Sequence, residues 1–238
     1  MTECKNCTSK GTGNYCSNCG HKFKLERIDG HYIKHEIGHL LHVEKGIFYT
    51  VKELIIRPGK NIRDFFFVNR EQLVKPIVYL IVTSLIYSLI AHFFHIESYE
   101  NYITEDDTST SSKIFKWGDE HSGYANLIMG IFIAFWTKLF FRKKNFNLYE
   151  ILILLCFITG TSMIIFSVFT FLQGIIHFNL QLVSGVTGIL YSTWAISDFF
   201  GRTETVNYVK SLLSYALGLF TFALSVVIIG TLIDLMIQ

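Results

Sequence analysis

The sequence predicts an all-α integral membrane protein: a bundle of about five transmembrane helices, preceded by amphipathic juxtamembrane helices and a small cysteine-rich head. Three observations carry that prediction. Of the 238 residues, 50% are hydrophobic and 16% aromatic, with only two prolines. The hydrophobic residues gather into uninterrupted runs of roughly 20, long enough to cross a bilayer as helices. The loops between those runs alternate between basic and non-basic, as a multi-pass chain requires.

The head comes first. Cys4-x2-Cys7 and Cys16-x2-Cys19 are separated by eight residues. Each CxxC sets two thiolates on one tight turn, and two facing turns can close a tetrahedral four-sulfur site for one structural zinc. Gly11, Gly13 and Gly20 suit the sharp turns of such knuckles. Two disulfides are the competing reading, disfavoured in a reduced cytoplasm. A redox CxxC would stand beside a βαβ pattern that is absent here. Residues 1–27 are therefore read as a zinc-ribbon-like head, and its polar sequence lacks the apolar core of a signal peptide. The first span is expected to act as its own insertion signal.

Residues 28–75 form the second part, an amphipathic interfacial segment. His31, His35, His39 and His42 fall within about 80° of one another at helical spacing, roughly opposite Ile33, Ile37, Leu40 and Leu41. Within this face, His35-Glu36-Ile37-Gly38-His39 matches HExxH, where two histidines bind zinc and the glutamate activates water. The stretch 31–45 is too polar to be a span, and His42 alone offers a third ligand. A histidine face at headgroup depth is the blander reading, with His35, Glu36 and His39 as a protease alternative.

Ile47, Val51, Leu54 and Ile55 mark a second short amphipathic helix, which Arg57-Pro58-Gly59 should end. Beyond it, basic residues alternate with aromatic and aliphatic ones. Arg57, Lys60, Arg63, Phe66, Arg70 and Lys75 are the expected contacts to anionic lipid headgroups. Nucleic-acid binding by the same cations is the weaker reading, because the segment up to Lys75 holds 13 basic against 8 acidic residues.

Residues 76–238 are the transmembrane part, with spans expected near 76–96, 124–141, 148–172, 180–200 and 212–235. The loop 97–123 carries seven acids against Lys113 and Lys116, whereas 142–147 holds Arg142, Lys143 and Lys144 and no acid. This pattern puts the N-terminus in the cytoplasm and the C-terminus outside the inner membrane. Lys138, Glu150 and Asp198 fall near cytoplasmic span ends, and His92 and Asp234 near outer ends, placements that permit snorkelling or interfacial contact. No ionisable residue sits at mid-span, so no ion-coupled pathway is announced. Ser184-x3-Gly188 is a small-residue packing pair. Gln173, Tyr191, Ser192, Thr193 and Trp194 are candidates to line a polar crevice, and Cys156 reads as a packing residue.

Several of these residues carry a resemblance: Cys16-x2-Cys19-Gly20, Arg27-Ile28, and Glu44-Lys45-Gly46 through Thr50 and Leu54 to Arg57-Pro58-Gly59. It continues through Ile62-Arg63, Phe66, Arg70 and Pro76. On these the chain resembles an uncharacterised family of multi-pass membrane proteins with a zinc-ribbon-like head, frequent in Bacteroidota. The chain departs from it at Val68-Asn69, where the family tends to have Gly-Lys, and at His21, where it has glutamine. The resemblance implies a cytoplasmic-membrane location, no established activity, and a juxtamembrane helix over His35–His39.

The expected function is non-enzymatic: a membrane scaffold, adaptor or regulator whose zinc ribbon docks a protein partner. The alternatives are the metalloprotease, and an oligomeric pore or transporter formed as a homo-oligomer.

Overall fold

The computed structural model describes residues 2–20, 22–23, 30, 46–96, 109–201 and 204–237. The head opens with a two-stranded antiparallel ribbon, β1 (Thr2–Glu3) and β2 (Lys10–Gly11), in which Thr2 faces Gly11 and Glu3 faces Lys10. A single bridge between Tyr15 and Lys22 frames the second cysteine pair.

Two short helices follow, α1 (Ile47–Ile56) and α2 (Pro58–Phe67), joined only by Arg57. The expected stop is there, and its proline also starts the next helix. Pro58 lacks a backbone N–H, and its fixed φ suits a first helical position, where that donor would have no partner within the helix. Thr50 anchors α1 by accepting the Val74 N–H at 3.0 Å through its hydroxyl.

The remaining helices are α3 (Pro76–Phe93), α4 (Thr110–Glu120), α5 (Ser122–Phe140), α6 (Leu148–Ile176), α7 (Gln181–Gly201) and α8 (Thr205–Ile237). A 3-10 turn over Arg142–Lys144 separates α5 from α6. Four of these helices, α3, α5, α6 and α8, are long and apolar enough to cross a membrane. The expected span at 180–200 is the 21-residue helix α7, but Gln181, Ser184, Thr187, Ser192, Thr193, Ser197 and Asp198 dilute it and it is not among the four. Helices α6 and α8 overrun their expected limits. At 29 residues α6 is about 43 Å long against a hydrocarbon core of about 30 Å, so a membrane-spanning α6 would tilt or reach into the headgroup layer.

Helix α6 is the centre of the bundle. Ile151, Leu154, Phe157 and Ile158 are buried with Leu54 of α1, Ile62, Phe65 and Phe66 of α2, and Ile196, Phe199 and Phe200 of α7. Chain direction alternates from helix to helix. At the head end, Phe141 stacks on Phe200 with ring centroids 4.0 Å apart, and Phe146 lies 5.0 Å from Phe199. At the far end, Ser88 meets Ser122 at 2.9 Å and Phe94 meets Phe171 at 5.6 Å between centroids.

Helix α4 was not expected, since its residues fall in the stretch read as an acidic loop. Its N-cap is Ser109, whose hydroxyl accepts the Ser112 N–H at 3.3 Å, and the Thr110 N–H donates to the Asp234 carboxylate of α8 at 3.1 Å. The acids Glu97, Glu100, Glu105, Asp106 and Asp107 lie outside the described residues.

Candidate metal centre

The four head cysteines come together. One sulfur from each of Cys4, Cys7, Cys16 and Cys19 lies within 4.8 Å of all the others. Cys4 and Cys19 are 3.6 Å apart, as are Cys7 and Cys16. A disulfide needs about 2.05 Å, and none of the four cysteines is in a disulfide. A tetrahedral zinc with Zn–S of about 2.3 Å sets its sulfurs about 3.8 Å apart. The spacing and the soft, all-thiol donor set are therefore compatible with zinc.

Both cysteine turns close in the same way. Thr8 N–H donates to the Cys4 carbonyl at 2.8 Å, and Gly20 N–H to the Cys16 carbonyl at 2.8 Å. The closing residue is left-handed in each, with φ of 60° at Thr8 and 71° at Gly20. Glycine adopts that region without strain; Thr8 is held there with its hydroxyl donating to the Cys7 carbonyl at 2.7 Å. Phe23 packs against Cys4, Cys16 and Cys7, giving the head a minimal core. Hydrogen bonding from the Ser9 side chain and backbone pulls the Cys7 thiol down to about 6, with smaller help from Cys19 and Asn18. A ligand already deprotonated near neutrality is what a thiolate metal site requires.

The first cysteine turn also touches the helices. Lys5 Nζ donates to the Phe67 carbonyl at 3.3 Å, and Asn69 Nδ2 to Asn6 Oδ1 at 3.3 Å. Residues between the first two cysteines thus sit on the C-terminal end of α2.

Helix α2 is itself clamped to α7. The Gly59 N–H donates to Asp198 Oδ2 at 2.9 Å, and Asp198 is buried. The Arg63 guanidinium donates to the carbonyl of Asp198 and, at 2.9 Å, to that of Phe199. Each helix thereby satisfies orphan backbone groups of the other: a carboxylate at the start of α2, a guanidinium at the end of α7. Tyr191 extends the clamp by donating to the Leu54 carbonyl at 3.1 Å.

This placement revises several sequence expectations. Arg63 and Phe66 turn into the bundle, Arg63 to α7 carbonyls and Phe66 into a cluster with Phe65, Phe146 and Phe199. Arg57 and Lys60 stay exposed, while Arg70 and Lys75 are half-buried. Asp198 caps a helix rather than snorkelling, and Glu150 does so too, reaching the Asn147 N–H in a capping box at the start of α6. Lys138 donates to the Phe146 carbonyl. Of the residues expected to share a crevice, Tyr191 and Ser192 face the interior, and Gln173 lines a cavity at the far end with other partners. His31, His35, Glu36, His39 and His42 lie outside the described residues. The Gly59–Asp198 pairing was missed because an acid in the last turn of an apolar helix announces no partner.

A family described as Protein of unknown function (DUF3667) matches residues 44–88. That match takes in α1, the Arg57-Pro58-Gly59 elbow, α2 and much of α3, the same residues that carry the resemblance noted above from Glu44 to Pro76. No curated protein and no solved structure matches the chain.

Proposed function

We propose that the protein is a non-enzymatic adaptor of the cytoplasmic membrane whose four-cysteine head holds one structural zinc and docks a protein partner. In this reading α7 crosses the bilayer as a fifth span beside α3, α5, α6 and α8. That puts the head and the Arg142-Lys143-Lys144 turn on the cytoplasmic side and the C-terminus outside. The alternation of chain direction and the basic turn at the head end support it.

The observation that carries the reading is the seat of the head. Lys5 and Asn6, flanked by the cysteines of the first turn, bond to Phe67 and Asn69. Metal binding orders that turn, the turn rests on α2, and α2 is clamped to α7. A partner held by the head is thereby fixed to the bundle rather than tethered by a loose linker. The exposed cations Arg57 and Lys60, beside exposed Phe48, Ile55 and Ile56, suit an anionic headgroup layer under the same platform.

The test is zinc per chain on purified full-length protein, together with in-membrane crosslinking from Tyr15, an exposed head residue. One zinc is expected, lost in Cys16→Ser/Cys19→Ser and retained in His35→Ala/His39→Ala. A specific crosslinked partner should vanish in the cysteine mutant while membrane insertion persists. Crosslinking that survives zinc loss would refute docking by the head; a second zinc lost with the histidines would favour the protease.

A further inference from the structure

At the end of the bundle remote from the cysteines, helices α3, α6 and α7 diverge around a cavity of about 200 Å³. Its walls include Tyr87, Phe166, Gln173, Gln181, Ser184 and Gly185, and among the described residues none that lines it is charged. The two amides sit near helix ends, whereas Phe166 lies seven residues deeper on α6 than Gln173, about 10 Å along the axis. The cavity mixes polar and apolar side chains, with Ile96 and Leu180 beside the amides near the helix ends and Thr170 among the deeper residues. Gln173 Oε1 accepts the Leu180 N–H at 2.9 Å, which fixes the rim by tying α6 to the start of α7.

The geometry points to a binding site for the uncharged polar end of a membrane lipid, of the acylglycerol type. Three features select that class. At 200 Å³ the cavity is smaller than sites that enclose whole small-molecule ligands, about 300 Å³ and upward, so it takes one end of a molecule whose remainder stays outside. Its flanks, Leu182, Val183 and Val186 on α7 and Val168 and Phe171 on α6, are exposed and apolar, which suits acyl chains leaving into the bilayer. With amides and hydroxyls but no cation among the described residues of its walls, it can hydrogen-bond esters and hydroxyls but has nothing there to pair a phosphate, whose desolvated charge would go uncompensated.

Gly185 supplies a clean test. A Cβ built there meets nothing within 4 Å, in contrast to Gly188, where it would strike the Phe166 ring. Gly185→Leu should fill the cavity without disturbing helix packing. The experiment uses full-length protein in nanodiscs with a photoactivatable diacylglycerol or a photoactivatable phosphatidylglycerol, the adducts mapped by mass spectrometry. Diacylglycerol adducts are expected within 166–185 and should fall at least fivefold in Gly185→Leu. Phosphatidylglycerol, labelling only the lipid-facing surface, should be unaffected. Gln181→Leu, which removes a rim amide and leaves the cavity open, should lower the diacylglycerol signal alone, and it decides the matter if Gly185→Leu fails to insert. Undiminished diacylglycerol labelling in the variant that inserts would overturn the site. An equal loss with both probes would overturn its selectivity for an uncharged head.

Discussion

The backbone N–H of Gly59 donates to the carboxylate of Asp198 across 139 positions of sequence, and the two backbones meet so closely that no side chain fits between them. A Cβ on Gly59 would stand 2.4 Å from the Asp198 carbonyl carbon and 2.6 Å from its oxygen, and 2.5 Å from the carboxylate Oδ2, all inside van der Waals contact. The glycine is therefore required by approach and not by an unusual φ. Arg63 completes the junction from one helical turn further on, bonding to the carbonyls of Asp198 and Phe199.

Two substitutions at this junction should act by different physics. Asp198→Ala removes a charged acceptor from a helix start, a loss of about 1–3 kcal/mol. Gly59→Ala forces backbone apart in a packed interior, which costs a similar 1–3 kcal/mol or more. Because the obstructing carbonyl belongs to the backbone, Asp198→Ala should not rescue Gly59→Ala. Thermal unfolding in detergent reads all three, and full recovery in the double mutant would place the crowding in the carboxylate instead.

At the metal centre, Gly20→Ala isolates backbone strain from packing. Gly20 has φ of 71°, and a Cβ there meets nothing within 4 Å, so the methyl group costs only conformational energy, about 1–2 kcal/mol. If the head is folded by the proposed zinc, the strain should appear as weaker zinc binding. Competition with a chelating dye should show affinity lowered by about one order of magnitude with stoichiometry unchanged. Equal affinity would mean that the second cysteine turn does not hold its left-handed closure.

How much of this was legible follows from range of interaction. The apolar helices α3, α5, α6 and α8 could be placed to within several residues, because crossing a bilayer is a property of a continuous window. The cysteine cluster was legible from spacing alone, and Pro58 from its missing donor. The partners of Asp198, Glu150 and Lys138 were not legible because a charge near a span end satisfies the same local pattern whether it reaches water or a backbone group. The protein contacts of Arg63 and Phe66 stayed hidden for a related reason: an amphipathic pattern shows that a face is buried, not whether lipid or protein buries it. Helix α4 stayed hidden because part of its N-terminal cap is Asp234, 124 positions away.

Asp234 suggests that the far end of the bundle is built on the same device as the head end. Its carboxylate receives the Thr110 N–H at 3.2 and 3.1 Å and also the Thr110 hydroxyl, as Asp198 receives Gly59. In each case an acid near the end of a long helix holds the start of a short amphipathic one. Asp234→Ala should raise hydrogen exchange in 110–113 and lower stability by about 1–2 kcal/mol, leaving exchange at 59–63 unchanged. The reverse pattern is expected of Asp198→Ala. From Thr205 to Asp234 the axis of α8 rises about 44 Å, and sites so far apart with no shared partner should be energetically independent. The double mutant should therefore lose the sum of the two single losses to within about 0.5 kcal/mol. A coupling above about 1 kcal/mol would mean instead that the two caps stabilise a common state of the bundle.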